Sequence, residues 1–331
     1  MKQSNFIRAA AFCAATVFAI TAQAETKWQG YTYTPKIGVP EYDFLVHIAD
    51  KAKEATKGEL VIEVVPAGAL PIKGNDVANA IADNIIQFAA ATSGTVSLVP
   101  VYGVSRFPML FPDENILRSG LKNTLQPIID AELYKKDVVD LCMWWYPAHS
   151  IWTVDKKVEK LSDLNGMKIR VTSPQQGAFI QQFGAIPVTI ATAEVAPALQ
   201  QGLVEGAITS GAGARLWIEN IKFNYHLLLN YGTSFVVANR EAFEDLSDDH
   251  QKALRGIAQE QCNWVTETLA SQEAGLMDKF QKDGLVVTQP DAAARKLGFE
   301  KAQIVWEEEA AKMGAVGQDA LAKLKPAAMR N

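Results

Sequence analysis

Residues Asp248 to Gln281 read as one helix with few breakers, and that single element limits what the chain can become. Ser247 or Asp248 can cap its start, and Gly284 can end it. At 1.5 Å per residue such a helix spans roughly 50 Å, too long to sit behind one small sheet. It is long enough to run along two domains and brace them. The 331 residues of the chain suffice for about two domains of roughly 150 residues each. A second long helix is predicted over Ala292 to Met313.

Upstream of these helices the pattern alternates. Strands are predicted at Tyr31 to Ile37, Leu60 to Val65, Ile85 to Ala91, Val138 to Tyr146, Lys168 to Val171, Ile186 to Ile190 and Ala207 to Thr209. Helices are predicted between them at Tyr42 to Ala55, Asp76 to Asp83, Asn115 to Lys135, Pro174 to Phe183 and Ala193 to Gly202. The alternation implies an α/β protein with largely parallel sheets.

Hydrophobic residues make up 48% of the chain and charged residues 21%, so a sizeable core is available. The net charge of −5 favours neither nucleic acid nor an anionic membrane surface as a partner. Lys2 and Arg8, the apolar run Ala9 to Ala22 and the small-x-small site Ala22-Gln23-Ala24 form a secretory signal. Cleavage is expected after Ala24, which predicts a periplasmic product starting at Glu25. An uncleaved anchor is the alternative, and it is disfavoured because a membrane span needs about 20 apolar residues. Export permits a disulfide between Cys142 and Cys262, but two cysteines so far apart are equally well read as buried free thiols. Free thiols are the expectation.

Arg170 ends a short apolar strand and is followed by Thr172-Ser173-Pro174. Ser173 suits an N-cap and Pro174 a first helical residue. In open α/β sheets ligands bind outside the carboxyl ends of strands, where a helix N-terminus adds free N–H groups. A guanidinium there matches a carboxylate with two parallel hydrogen bonds. The plainer alternative is an arginine paired with a surface acid. Trp144, Trp145, Tyr146 and Trp152 cluster near His149 and offer either a pocket wall or ordinary core. Thr92-Ser93-Gly94 and Thr209-Ser210-Gly211 follow apolar strands and offer hydroxyls and N–H groups, or simple turns. The histidines His47, His149, His226 and His250 have no metal-like spacing and read as structural or surface residues. No H-E-x-x-H, C-x-x-C, G-x-S-x-G or dinucleotide fingerprint occurs, so no cofactor or metal is expected.

Three ordered motifs carry a family resemblance: Leu161-Ser162-Asp163-Leu164-Asn165-Gly166-Met167-Lys168-Ile169-Arg170, Phe183-Gly184-Ala185-Ile186-Pro187-Val188, and the run Glu194 to Gly206. Ala55-Thr56-Lys57-Gly58-Glu59-Leu60 and Phe107-Pro108-Met109-Leu110-Phe111 add to them. Across the mature chain the sequence resembles the DctP-type solute-binding proteins of tripartite ATP-independent periplasmic (TRAP) transporters. The resemblance implies a two-domain periplasmic binding protein fold, type II-like, with a hinged cleft and a long helix bridging both domains. The expected division is 25–150 with about 236–270, and 151–235 with about 271–331.

The resemblance also implies that Arg170 pairs with a ligand carboxylate. It implies delivery of the ligand to the TRAP membrane permease, and no enzymatic activity. The protein is expected to be a monomer. Ser93, Thr209 and Ser210 are the candidate hydrogen-bond partners, and Trp145, Trp152 and Phe235 the candidate walls. Many sugar-acid binders carry a second arginine before this strand, where the present chain has His149-Ser150-Ile151-Trp152. One arginine and several aromatics point to a monocarboxylate, either aromatic or a 2-oxo or 2-hydroxy acid. The alternatives are a binding protein of another uptake system, for an amino acid, a dicarboxylate or a metal-bridged ligand, and a periplasmic enzyme using the same cleft.

Overall fold

The computed structural model describes residues 25–74, 76–92 and 98–329, so the expected export signal and Ser93 lie outside the described residues. The first sheet takes β1 (Thr26–Tyr31), β2 (Leu60–Val65), β3 (Phe88–Ala91), β4 (Val138–Ala148) and β10 (Tyr231–Asn239), in the order β2-β1-β3-β10-β4. The second takes β5 (Ser150–Thr153), β6 (Lys168–Val171), β7 (Ile186–Thr189), β8 (Gly206–Thr209), β9 (Phe223–Tyr225) and β11 (Val286–Thr288), in the order β11-β9-β5-β8-β6-β7. This is the expected α/β fold with two lobes.

Two local expectations are corrected. The first strand is Thr26–Tyr31, ahead of the predicted Tyr31 to Ile37. Its extent is set by β2, which pairs with it from Thr26↔Leu60 to Tyr31↔Val65 and then meets Pro66, which has no ladder N–H to give. The sheets are mixed rather than largely parallel. β10 runs antiparallel to β3 and β4, and β5 antiparallel to β8 and β9. Each of these strands is reached by a crossing from the other lobe. β4 passes through His149 into β5, and the chain comes back through Leu229 and Asn230 into β10, ahead of the expected boundary at 236. The two crossings bond to each other, His149 N to Asn230 O at 2.7 Å and Leu229 N to His149 O at 2.7 Å. This paired ribbon connects the two lobes.

Around the first sheet lie α1 (Pro40–Ala55), α2 (Val77–Ala82), a 3₁₀ helix (Pro100–Arg106), α3 (Glu114–Gly120), a π turn (Leu121–Leu125) and α4 (Gln126–Tyr134). α5 (Pro174–Gln181), α6 (Val195–Gln200) and α7 (Gly211–Ala214) accompany the second sheet, and α8 (Arg240–Glu244) follows β10. The long helix α9 (Asp248–Lys282) has 35 residues, and Ser247 caps it by accepting from His250 N at 3.3 Å. Its Leu254, Ala258, Cys262, Val265 and Leu269 pack with Phe44, Leu45, Trp144 and Val236 of the first lobe. Its Met277 and Phe280 pack with Trp152, Ala207 and Trp217 of the second. The bridging helix is therefore real, and each half is held by a different core. It also lies across β4, which brings Cys142 and Cys262 to a Cα–Cα distance of 6.3 Å in a disulfide. The free-thiol expectation is corrected: packing, not the separation of 120 residues, decides the pairing.

α10 (Ala292–Lys312) and α11 (Gly314–Ala328) close the fold. Trp306 is buried and donates to Pro108 O at 2.6 Å, so α10 leans on the Phe107–Phe111 segment. Among the described residues no helix is long and apolar enough to cross a membrane.

Candidate functional site

The cleft between the two sheets holds a cavity of about 50 Å³, lined by polar groups from both lobes, among them Tyr33, Arg106, Tyr146, His149, Arg170 and Thr209. β6 delivers Arg170 to it. Strand alternation turns Arg170 and Thr172 to the same side. Ser173 caps α5 by accepting from Gln176 N at 3.3 Å, and Pro174 occupies its first turn, as expected.

Arg170 is 6% exposed. Its Nε donates to Ile190 O at 3.0 Å, and its Nη2 reaches Thr192 Oγ1 at 3.5 Å. Burial, with Arg106 nearby, pushes its pKa down to about 10. Arg106 enters from the end of the 3₁₀ helix and is buried. It donates from Nη1 to Thr172 Oγ1 at 3.1 Å, and from Nη2 to Thr92 Oγ1 at 2.6 Å and to Thr233 O. Its Nε has no hydrogen-bond partner among the described residues. Neither arginine pairs with a carboxylate among the described residues. The expectation of a single arginine is thus corrected: two guanidinium groups meet at this cavity, one from each lobe.

His149 sits in the ribbon that pairs the two crossings and is 3% exposed. Its Nδ1 lies 2.9 Å from Gln176 Nε2, and its Nε2 has no partner among the described residues. Burial, then Arg106 and Arg170, hold its pKa well below the usual 6.5, so the ring is neutral. Tyr33 and Tyr146 touch through their hydroxyls at 3.2 Å, and burial raises both phenols.

The remaining sequence candidates are distributed unevenly. Thr209 lines the cavity. Ser210 is buried and caps α7 by accepting from Gly213 N at 3.2 Å. Trp152 is buried against Phe280 and donates to Thr209 O at 2.8 Å, so it backs the wall instead of forming it. Trp145 faces away from the cleft and stacks under the Arg118 guanidinium at 4.8 Å. Phe235 is core, 4.4 Å from the Tyr102 ring. The structure does not bring Ser210, Trp145, Trp152 or Phe235 to the cavity, and Tyr33, Tyr146 and Trp217 line it in their place. Arg106 has a sequence signal in hindsight, since it is the one charge in the apolar run Pro100 to Phe111. His149 and Tyr33 carry none.

Residues 32–313 match the model of the family described as bacterial extracellular solute-binding protein, family 7. The 2,3-diketo-L-gulonate-binding periplasmic protein YiaO of Escherichia coli is 27% identical over 250 residues, covering 74% of this chain and 76% of that protein. The sialic acid-binding periplasmic protein SiaP of Vibrio cholerae is 23% identical over 264 residues, covering 77% and 80%. Among solved structures, DctP7 of Bordetella pertussis, an extracytoplasmic solute receptor binding pyroglutamic acid, superposes with a TM-score of 0.84 at 23% identity, over 91% of this chain and 99% of its own. A TRAP periplasmic solute binding protein from Sulfitobacter with bound β-D-galacturonate superposes with a TM-score of 0.84 at 19% identity, over 91% and 100%.

Proposed function

This chain belongs to the bacterial extracellular solute-binding proteins of family 7, and on that premise we propose that it captures one compact organic acid in the cleft between its two sheets. One observation carries the reading. Arg106 and Arg170 are buried, come from opposite lobes, and have no carboxylate partner among the described residues. A buried charge without a counter-ion is costly, and a ligand carboxylate removes that cost for both at once. It also touches both lobes, so it favours the closed arrangement over the open one.

Arg170 is the principal carboxylate ligand. Its Nε is engaged by Ile190 O and its Nη2 contact to Thr192 is long, whereas both terminal nitrogens of Arg106 already serve the protein. The free space of about 50 Å³ admits on the order of four water-sized groups, which suits a short acid better than an aromatic or sugar acid. A monocarboxylate with an oxo or hydroxyl oxygen beside the carboxylate fits best. The (S)-2-acetolactate bound in one solved structure of this fold is an acid of that kind. The protein holds its ligand unchanged in the periplasm, as a monomer exported by cleavage after Ala24. It passes the ligand to a TRAP membrane permease driven by an ion gradient.

A thermal-shift and calorimetric screen of the mature chain tests this. The panel holds 2-oxo and 2-hydroxy acids, benzoate, succinate, glucuronate and amino acids. At about 100 times its dissociation constant a ligand adds roughly 2.7 kcal/mol to stability. One-to-one binding of a short 2-oxo or 2-hydroxy acid, recovered intact, is the expected result. Binding confined to dicarboxylates would instead give each arginine its own carboxylate, and turnover of the bound acid would make the protein an enzyme.

A further inference from the structure

We propose that His149 decides which short acids this cleft accepts, its Nε2–H donating to an oxygen on the carbon next to the ligand carboxylate. The inference rests on the carboxylate reading above. It predicts acceptance of 2-oxo and 2-hydroxy acids and rejection of the matching 2-amino acids.

The tautomer follows from a chain of fixed donors. The backbone N–H of Thr172 donates to Gln176 Oε1 at 2.8 Å, which settles which end of the Gln176 amide is oxygen. Gln176 Nε2 then carries two hydrogens. One goes to Asn230 Oδ1 at 2.9 Å and the other to His149 Nδ1, also at 2.9 Å. The His149 Nδ1 must accept, so in the neutral ring the proton is on Nε2. His149 lines the cavity, and its Nε2 is buried with no partner among the described residues. A buried donor without an acceptor is costly, so the vacant acceptor position is one a ligand oxygen should fill.

Gly232 keeps the approach open. A Cβ there would lie 2.3 Å from His149 Nε2. The other charged groups at the cavity are Arg106 and Arg170, both donors only. An α-ammonium beside the carboxylate would face two cations and a third donor. A carbonyl or hydroxyl oxygen would complete the set. Gln176 acts as a positioning residue: it ties His149 and Asn230, one from each hinge crossing, to the first turn of α5.

Two measurements decide the matter. The first is read on the native protein. Long-range ¹H–¹⁵N correlation spectra of histidine-labelled mature protein should show one neutral ring protonated on Nε2 from pH 8 to pH 6, assigned by its loss in His149→Phe. A ring protonated on Nδ1, or an imidazolium at pH 6, overturns the proposal. The second is calorimetry with pyruvate, 2-oxobutyrate and 2-oxoisocaproate, each beside the acid lacking the 2-oxygen and the matching 2-amino acid. The native protein should prefer the best 2-oxo acid by about 10- to 100-fold over its deoxygenated partner. His149→Phe should bring that ratio close to one and leave the deoxygenated acid's affinity within about threefold. Equal binding of both acids by the native protein overturns the role of His149 alone. Failure of every carboxylate to bind overturns the carboxylate reading with it.

Discussion

Glu41 and Arg215 form a buried ion pair across the cleft, their side chains 1% and 13% exposed. Glu41 lies in the first turn of α1, beside the first sheet, and Arg215 follows α7 behind β8 of the second. Burial pushes the Glu41 carboxyl up, and Arg215 works against that rise. Glu273 of the bridging helix sits next to the pair and accepts from Gly211 N at 2.7 Å and Ala212 N at 2.8 Å. The pair links the lobes at a point separate from Arg106 and Arg170.

Arg215→Ala leaves Glu41 buried without its cation in the closed form and hydrated in the open form. Closure should lose about 2–5 kcal/mol. The affinity for the best acid should fall at least about thirtyfold, chiefly through faster release. Stopped-flow fluorescence of ligand release checks this, and an unchanged release rate would remove the pair from the closing contacts.

Arg170→Met should separate binding from stability. Burial beside Arg106 lowers the Arg170 pKa to about 10, so keeping it charged is a cost to the unliganded fold. Methionine fills similar space without that cost. The unliganded variant should therefore melt no lower than the native protein. Carboxylate affinity should drop by about thirty- to several-thousandfold. Retained affinity in a calorimetric titration would sink the assignment of Arg170.

The Cys142–Cys262 disulfide ties β4 to the first half of α9, away from the cleft. Cys142→Ala with Cys262→Ala should cost about 2–4 kcal/mol of stability, since the unfolded chain loses its long closed loop. Ligand affinity should stay within about twofold. Paired denaturant titrations and calorimetry check both halves, and a tenfold loss of affinity would mean the crosslink also positions the cleft.

Asp140 is buried, and burial, then the neighbouring Asp130, raise its pKa well above the usual 3.8. Both carboxylates accept from Gln126 Nε2. Below the unfolded value of 3.8 both states are neutral and nothing is lost. As pH rises from 3.8 towards the raised folded value, only the unfolded chain gives up its proton, so stability falls across that window and levels off once the folded Asp140 ionises too. Asp140→Asn removes that loss. Its urea midpoint should exceed the native one at pH 8, with a smaller gain near pH 4. A lower midpoint at pH 8 would show that the Asp140 charge is stabilising.

The amino-acid sequence alone determines those features that local chemistry decides. α9 is legible because few breakers interrupt it and Ser247 caps it. The β6–α5 unit is legible because Lys168–Val171, Ser173 and Pro174 carry strand, cap and first-turn signals within a few positions. That unit also places Arg170 at a strand end, so one of the two cavity arginines is readable before folding. The other is not. Arg106 meets Thr172 from 66 positions away, because the 3₁₀ helix of one lobe is laid against the strand end of the other. The pairing of Cys142 with Cys262 depends on how α9 crosses β4, and the donor state of His149 on where Gln176 and Asn230 converge. Alternation separates Trp144 and Tyr146 from Trp145, yet which of the two faces meets the cleft depends on how the sheets pack. Hydrogen bonds and caps act over a few residues, so sequence records them. Electrostatic and packing contacts across the cleft act between segments that only the tertiary fold brings together.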